Sequence, residues 1–440
     1  MSALVSSCKL VSLLKEATLF LTASLEKSLI MRTVDRGAAF LERSLQLSCL
    51  RSSAALLLRL YPERVYAIVD RVNRRLPQAE LSPAFLFPLA YLVFLSLGKI
   101  SLLSFLLVIV SLISFLLAFS LATRVKVRSV AFEERSLRLG LVLFILSLLA
   151  LCADLYRAYK VPLLEPQARV KLSVAYTYIA TFLVLGGVIL ASLLGKHLLA
   201  GKLSLRDARV YTLAIAVATT FLITLLGYRT QTVVSILAFT FVMNRYRIIG
   251  MAEMLIALGA GLLSVAALGY YRALVIGSEV GILEVIAKRA DLTLTLYDFT
   301  VNSLYKAGVT TLLFGYYQGD IALATFSSFL DFVPGLSLGP RTIVARNFGV
   351  SGVSLTSTLL GTVSLDLGLA GIVTFALAIG AIIGAAYALS KRTGSALATA
   401  LFSICFAYLL AGIETGLVDF NVFVLYAFTA FVAVTSIARM

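Results

Sequence analysis

Tryptophan is absent from the 440 residues, and histidine occurs once, as His197. A single imidazole excludes any metal site built from several histidines. Cysteine is scarce too: four in the whole chain exclude a disulfide-stapled secreted scaffold. Cys152 and Cys405 fall inside apolar runs, and Cys8 and Cys49 lie in the basic N-terminal stretch. Asn and Gln number five each, a bias that fits a thermophile. The decisive shortage is charge. Charged residues make up 14 % of the chain and hydrophobic ones 60 %, with a mean hydropathy of +0.99. Soluble domains hold about 25 % and about 45–50 % respectively. An ordinary soluble enzyme is excluded, disorder is excluded as well, and the surplus apolar surface must face lipid.

The length suffices for about ten spans of roughly 20 residues. The apolar runs predict them near 83–98, 101–122, 139–156, 173–195, 210–227, 230–244, 251–270, 354–389 (one span within a longer stretch), 395–412 and 420–438. The first 82 residues differ. Twelve Lys/Arg and seven Asp/Glu interrupt apolar residues at helical spacing, such as Leu41, Leu45, Leu57, Leu58 and Leu60. No window there can span, and no signal-peptide pattern is present. The expectation for 1–82 is an extension of amphipathic helices on the cytoplasmic surface, with a cytoplasmic protein-docking module as the alternative.

The net charge of +16 suggests a nucleic-acid partner until its placement is read. With the N-terminus inside, the inner loops receive Arg124, Lys126, Arg128, Arg135 and Arg138, then Lys196, Lys202, Arg206 and Arg209. Arg245 with Arg247, and Lys391 with Arg392, fill the next two. Together with the N-terminal stretch and Arg439, twenty-six of the 38 basic residues lie inside and twelve outside, as the positive-inside rule requires. No nucleic acid is needed to explain them. The expected protein is all-α and polytopic, with about ten transmembrane helices over 83–440 and both termini cytoplasmic in the cell membrane. One large outer-face loop, about 271–352, is too apolar to be solvated. Its stretches 281–287, 309–317 and 321–333 are too short to span and read as re-entrant or interfacial helices lining a wet cavity.

Outer cations fall outside the positive-inside rule, so each needs another reason. Arg229 stands in Gly227-Tyr228-Arg229-Thr230-Gln231, Arg272 follows Tyr270-Tyr271, and Arg341 and Arg346 lie in the stretch after Pro334. Arg169 closes the other outer loop, about 157–172. The planar guanidinium suits phosphate oxygens bidentately, so several converging arginines would cradle a diphosphate. Snorkelling, or pairing with Asp331, Asp320 or Asp366, is the competing reading. Asp331 and Asp298 each interrupt an apolar run and are candidates for proton transfer or for ion pairing. Tyrosines, Tyr228 and Tyr271 among them, gather where a sugar ring would lie, though interfacial belts use the same residue. His197 falls on the cytoplasmic side, which leaves no Ser-His-Asp or Cys-His set outside. Gly195-Lys196 lacks the glycine five residues earlier that a phosphate loop needs.

Three stretches carry a resemblance. The first is Lys160-Val-Pro162-Leu-Leu-Glu-Pro-Gln-Ala-Arg169, and the second is Gly227-Tyr-Arg229-Thr-Gln followed by a short span and Arg245-Tyr-Arg247. The third runs through Gly315, Gly319, Phe329-Leu-Asp-Phe-Val-Pro334-Gly and Ser357-Thr-Leu-Leu-Gly361 into Asp366-Leu-Gly368-Leu-Ala-Gly371. Over roughly 83–438 the chain resembles the oligosaccharide repeat unit polymerases, the O-antigen polymerase type of membrane glycosyltransferase. It departs from them at Thr362-Val363, where the family has an acidic residue. The resemblance implies a polymerase acting on polyprenyl-diphosphate-linked oligosaccharides at the outer face, with no nucleotide, metal or other cofactor expected. Arg229, Arg272, Arg341 and Arg346 would bind diphosphate, with Arg169, Tyr228 and Tyr271 beside them. Asp331 would take the acceptor proton, with Asp298 in reserve. A flippase or a chain-length regulator would be its protein partner. An O-antigen-ligase-like transferase and a transporter or flippase for lipid-linked oligosaccharide are the rival readings; no internal repeat supports the transporter.

Overall fold

The computed structural model describes residues 82–437 except 127–129, 131, 276–280, 328–338, 351–354 and 418, and every regular element among them is a helix. Nearly all of the N-terminal extension lies outside the described residues. The helices are α1 (Pro83–Leu95), α2 (Leu102–Thr123), α3 (Ser136–Ala158), α4 (Val174–Leu199), α5 (Leu205–Thr224), α6 (Arg229–Arg245) and α7 (Met251–Val275). There follow α8 (Ile282–Ala307), α9 (Val309–Phe314), α10 (Asp320–Ser327), α11 (Pro340–Asn347), α12 (Thr358–Thr393), α13 (Ala396–Thr415) and α14 (Phe420–Ile437). Serines start three of them. Ser101, Ser204 and Ser395 accept from the backbone N–H three residues on, satisfying one of the orphan donors of α2, α5 and α13.

A helix stands at each of the ten expected spans. Seven are long and apolar enough to cross a membrane: α2, α3 with its leading turn, α4, α5, α12, α13 and α14. Two of the others are shorter in reach. The 13 residues of α1 and the 17 of α6 rise about 20 and about 26 Å, short of a hydrocarbon core of about 30 Å. The 25 residues of α7 are long enough to span, and among its described side chains the continuous apolar stretch is Met251–Gly261.

The bundle is organised around α13, whose most apolar window is 94 % buried. Helices α4, α6, α12, α14 and α1 pack around it, as expected of a helix that is apolar on all sides. Against α12 lies α2. A Cβ on Gly380 or Gly384 would sit 2.4 Å from the Phe115 carbonyl oxygen or 2.7 Å from that of Phe119, so this contact depends on small residues. At the basic end of the bundle, Glu133 accepts from the backbone N–H groups of Ala396 (2.9 Å) and Leu397 (3.3 Å) and pairs with Lys196.

The large loop differs from the expected series of short pieces. Short helices do occur as α9, α10 and α11, but 282–307 is one continuous 26-residue helix, α8. The reason is its face: Leu294, Tyr297, Val301 and Leu304 recur at three- and four-residue spacing and are fully buried. Segment 315–322 is then fastened to α12. That helix breaks at Gly368 (φ 61°, ψ −151°), a conformation open to glycine. Around the break, Leu365 and Asp366 carbonyls accept from Tyr316 N–H (2.9 Å) and Gln318 N–H (2.7 Å). The buried Asp366 carboxylate accepts from Gly319, Ile321 and Ala322 N–H at 2.9, 3.1 and 3.0 Å, capping α10 from outside. Asp366 therefore anchors a helix rather than pairing with an arginine.

Candidate functional site

One end of the bundle gathers the C-termini of α3, α5 and α13, the N-termini of α4, α6 and α14, the 157–172 loop, and α11. Gly227 makes the tightest turn there. Its φ is +71°, and a Cβ would lie 2.7 Å from Arg169 Nη2 and 3.0 Å from the Pro162 carbonyl oxygen. Only glycine lets the loop close over this corner. Leu163 N–H donates to Leu225 O (3.1 Å), and the Tyr271 hydroxyl donates to Leu164 O (3.1 Å), pinning the loop from two sides. Arg169, in the 3-10 turn Pro166–Lys171, lies with its guanidinium carbon 5.2 Å from the Tyr228 ring centroid.

Three further arginines, Arg169, Arg289 and Arg341, each from a different element, gather around Tyr228 and Arg229. Arg169 and Arg289 act electrostatically on Arg229, and Arg169 and Arg341 act on Tyr228. Carboxylates are interleaved: Arg289 pairs with Glu414 at the end of α13, and Arg341 Nη2 donates to Asp419 (2.8 Å) just before α14. Asp154 also faces Tyr228, but it is committed to starting α4 through Ser173 N–H (2.7 Å) and the Thr177 hydroxyl (2.6 Å). Four guanidiniums against three carboxylates leave the cluster net positive.

Its electrostatics are those of a desolvated cation site. Partial burial, and the like charge of Arg289, both work against the Arg229 cation. Burial likewise lowers Arg169 and raises the Tyr228 phenol, which stays neutral at physiological pH. Arg229 stands at the first position of α6, where the helix dipole is unfavourable to a cation and no side chain caps the helix. It has no ion-pair partner among the described residues. Arg169 Nε and Nη2 and Arg341 Nε are buried without a hydrogen-bond acceptor. Each of these features costs stability that a bound anion would offset.

Of the expected residues, Arg169, Tyr228, Arg229 and Arg341 come together here. Tyr271 supports the loop. Arg346 is exposed in the last turn of α11 and makes no ion pair among the described residues. Arg272 falls in the last turn of α7, with its side chain outside the described residues, and Asp331 lies outside them altogether. Asp298 is engaged elsewhere. It accepts from Ser101 N–H (2.7 Å), the Ser104 hydroxyl (2.6 Å) and Asn302 Nδ2 (3.0 Å), bracing the start of α2. Burial opposes its ionisation, and these bonds outweigh burial, so its carboxyl lies below the usual range. The sequence does not single out Arg289; it offers Glu414 and Asp419 as outer-face carboxylates for proton chemistry, but not their pairing with Arg289 and Arg341. The signal for Arg289 was its register, four residues before Thr293 and eight before Tyr297 on the buried face of α8. His197 is exposed in the last turn of α4, at the opposite end. Among the described residues no three His, Cys, Asp or Glu side chains come together to hold a metal ion.

An all-helical, multi-pass membrane protein with a half-buried guanidinium cluster at one end of its bundle is the class these features define. The chain belongs to the family described as "Putative O-antigen polymerase", whose model matches residues 78–426. It is 27 % identical over 297 residues to an uncharacterized protein of Methanocaldococcus jannaschii, covering 66 % of this chain and 74 % of that one. No solved structure matches it.

Proposed function

We propose that the protein joins polyprenyl-diphosphate-linked oligosaccharide repeat units at the extracytoplasmic face of the membrane. The observation that carries this reading is the gathering of Arg169 and Arg341 about a neutral Tyr228 with Arg229 and Arg289 beside them. Family membership supports the substrate class, and the positive-inside count supports an outer location for this end of the bundle. A hydroxyl of the acceptor unit attacks the anomeric carbon that joins the growing chain to its lipid. The carbon–oxygen bond to the diphosphate breaks, and the diphosphate leaves with the electron pair. The guanidiniums stabilise that charge in a desolvated site, where fixed cations act most strongly. Among the described carboxylates, Glu414 is the one placed to take the acceptor's proton, since it shares a cavity with Arg229 and Arg289. Asp331 remains a second candidate for that role from the sequence. Tyr228 offers its ring to the sugar. The reaction needs no nucleotide, and with arginines carrying the charge it needs no metal.

The test uses purified protein with a synthetic polyprenyl-diphosphate oligosaccharide, without nucleotide or added metal. The expected result is a ladder of longer lipid-linked glycans, lost in a folded Arg229→Ala variant. Transfer to a different acceptor instead would make the protein a ligase. Passage of the lipid-linked sugar across liposomes without any transfer would make it a flippase.

A further inference from the structure

We infer that the cavity beside Arg229 seats the lipid itself: the first isoprene units of a polyprenyl diphosphate enter it, with the diphosphate held between Arg229 and Arg289. This rests on the polymerase reading and adds where, and tail-first, the lipid lies. The cavity, of about 360 Å³, is lined by α1, α6, α7, α8 and α13, within the usual size of a ligand pocket. Its charged groups are Arg229, Arg289 and Glu414; nearly all of the remaining wall is apolar. The space exists because small residues stand on several helices, Ala90, Gly261, Ala266 and Ala411 among them. At its margin Leu97 lines the cavity and is 50 % exposed, so the cavity reaches the apolar outer surface beside α1. A chamber charged at one place and apolar elsewhere fits an amphiphile and not a free sugar. Two guanidiniums match the two phosphates of a diphosphate better than the single phosphodiester of a two-chain phospholipid. The volume admits the head-proximal part of one branched chain and not a pair of acyl chains. Arg229, unpaired, is available to the anion without breaking an existing ion pair, and Arg289 would leave Glu414 to join it.

The probes are geranylgeranyl diphosphate, inorganic diphosphate and phosphatidylglycerol, titrated onto the full chain in nanodiscs. Burial of the prenyl units should make geranylgeranyl diphosphate bind about a hundredfold tighter than inorganic diphosphate. Ala266→Phe and Ala411→Phe fill the cavity and should remove about tenfold or more of that advantage. Unchanged binding of inorganic diphosphate would show that both variants are folded. As a measurement independent of any variant, a benzophenone-bearing prenyl diphosphate should label α7 within 258–269. No tail advantage, an advantage that survives both fillings, labelling elsewhere, or equal displacement by phosphatidylglycerol would each overturn the lipid seat. If inorganic diphosphate still bound and was lost in Arg229→Ala, the arginine cradle would stand without it. Binding of neither diphosphate would overturn the cradle and the seat together.

Discussion

Replacing Asp366 by Asn should free the outer segment that carries Arg341. The carboxylate is 4 % exposed and accepts three backbone N–H groups, from Gly319, Ile321 and Ala322. Asparagine keeps an oxygen for the first two donors but turns an amide nitrogen toward the third. One hydrogen bond disappears and the others lose their charge. A bond to a charged group contributes about 1.5–3 kcal/mol and a neutral one about 0.5–1.5 kcal/mol, so the loss is at least about 3 kcal/mol. The eight residues of α10 are too few to hold a helix unaided. What else seats them is an apolar contact of Ile321 with Val344 of α11 and Leu365 of α12. Amide exchange over 316–327, read by mass spectrometry, should therefore accelerate about a hundredfold, with α13 unaffected. Because α11 rests on α10 and bears Arg341, glycan polymerisation should fall as well. Unchanged protection of 316–327 in Asp366→Asn would refute the anchoring role.

Two further substitutions separate the site from its supports. Gly227→Ala combines a positive φ with a Cβ 2.7 Å from Arg169 Nη2; it should cost about 1–2 kcal/mol of stability and shorten or abolish the glycan ladder by displacing Arg169. Asp298→Ala should lower the thermal midpoint, through loss of about 1–3 kcal/mol at the start of α2, and leave polymerisation intact below that midpoint. Loss of polymerisation at full stability would instead return Asp298 to the chemistry.

Helices at the ten expected positions could be read from the chain because lipid imposes a simple rule: long apolar runs separated by sided charge. The same rule failed over 282–307, where polar residues on one face of α8 break the run without breaking the helix. Its buried stripe, Leu294, Tyr297, Val301 and Leu304, is visible in the sequence only when read at helical period. Three of the converging arginines were already conspicuous, since Arg169, Arg229 and Arg341 lie beyond the reach of the positive-inside rule. Their partners were not. Asp331, Asp320 and Asp366 are nearer to Arg341 in sequence, yet it pairs with Asp419, 78 residues away. A pairing of that kind is fixed by how α11 and the start of α14 meet in space, which no local pattern encodes. Asp298 misled for a related reason: a carboxylate inside an apolar run must have a job, and capping a distant helix is as good a job as catalysis.

The shortness of two helices explains how a cation cluster can be built within a membrane bundle. At 17 residues α6 is shorter than α4, α12 and α13 around it, and α1 ends early at Leu95. Arg229 at the first residue of α6 is half-buried and lines the adjoining cavity, which Phe94 and Leu97 near the end of α1 help wall. The broken α12 serves the same purpose on the outer segment, since the carbonyls around Gly368 fasten 315–322 and, through α10, bring α11 inward. Depth raises the cost of each charge but also strengthens its pull on an anion, because water no longer competes. Glu414 and Asp419 keep that cost tolerable while the site is empty of anion. On this reasoning the truncated helices are functional features: lengthening α6 at its N-terminus would lift Arg229 into solvent, where the same guanidinium would hold a diphosphate far more weakly.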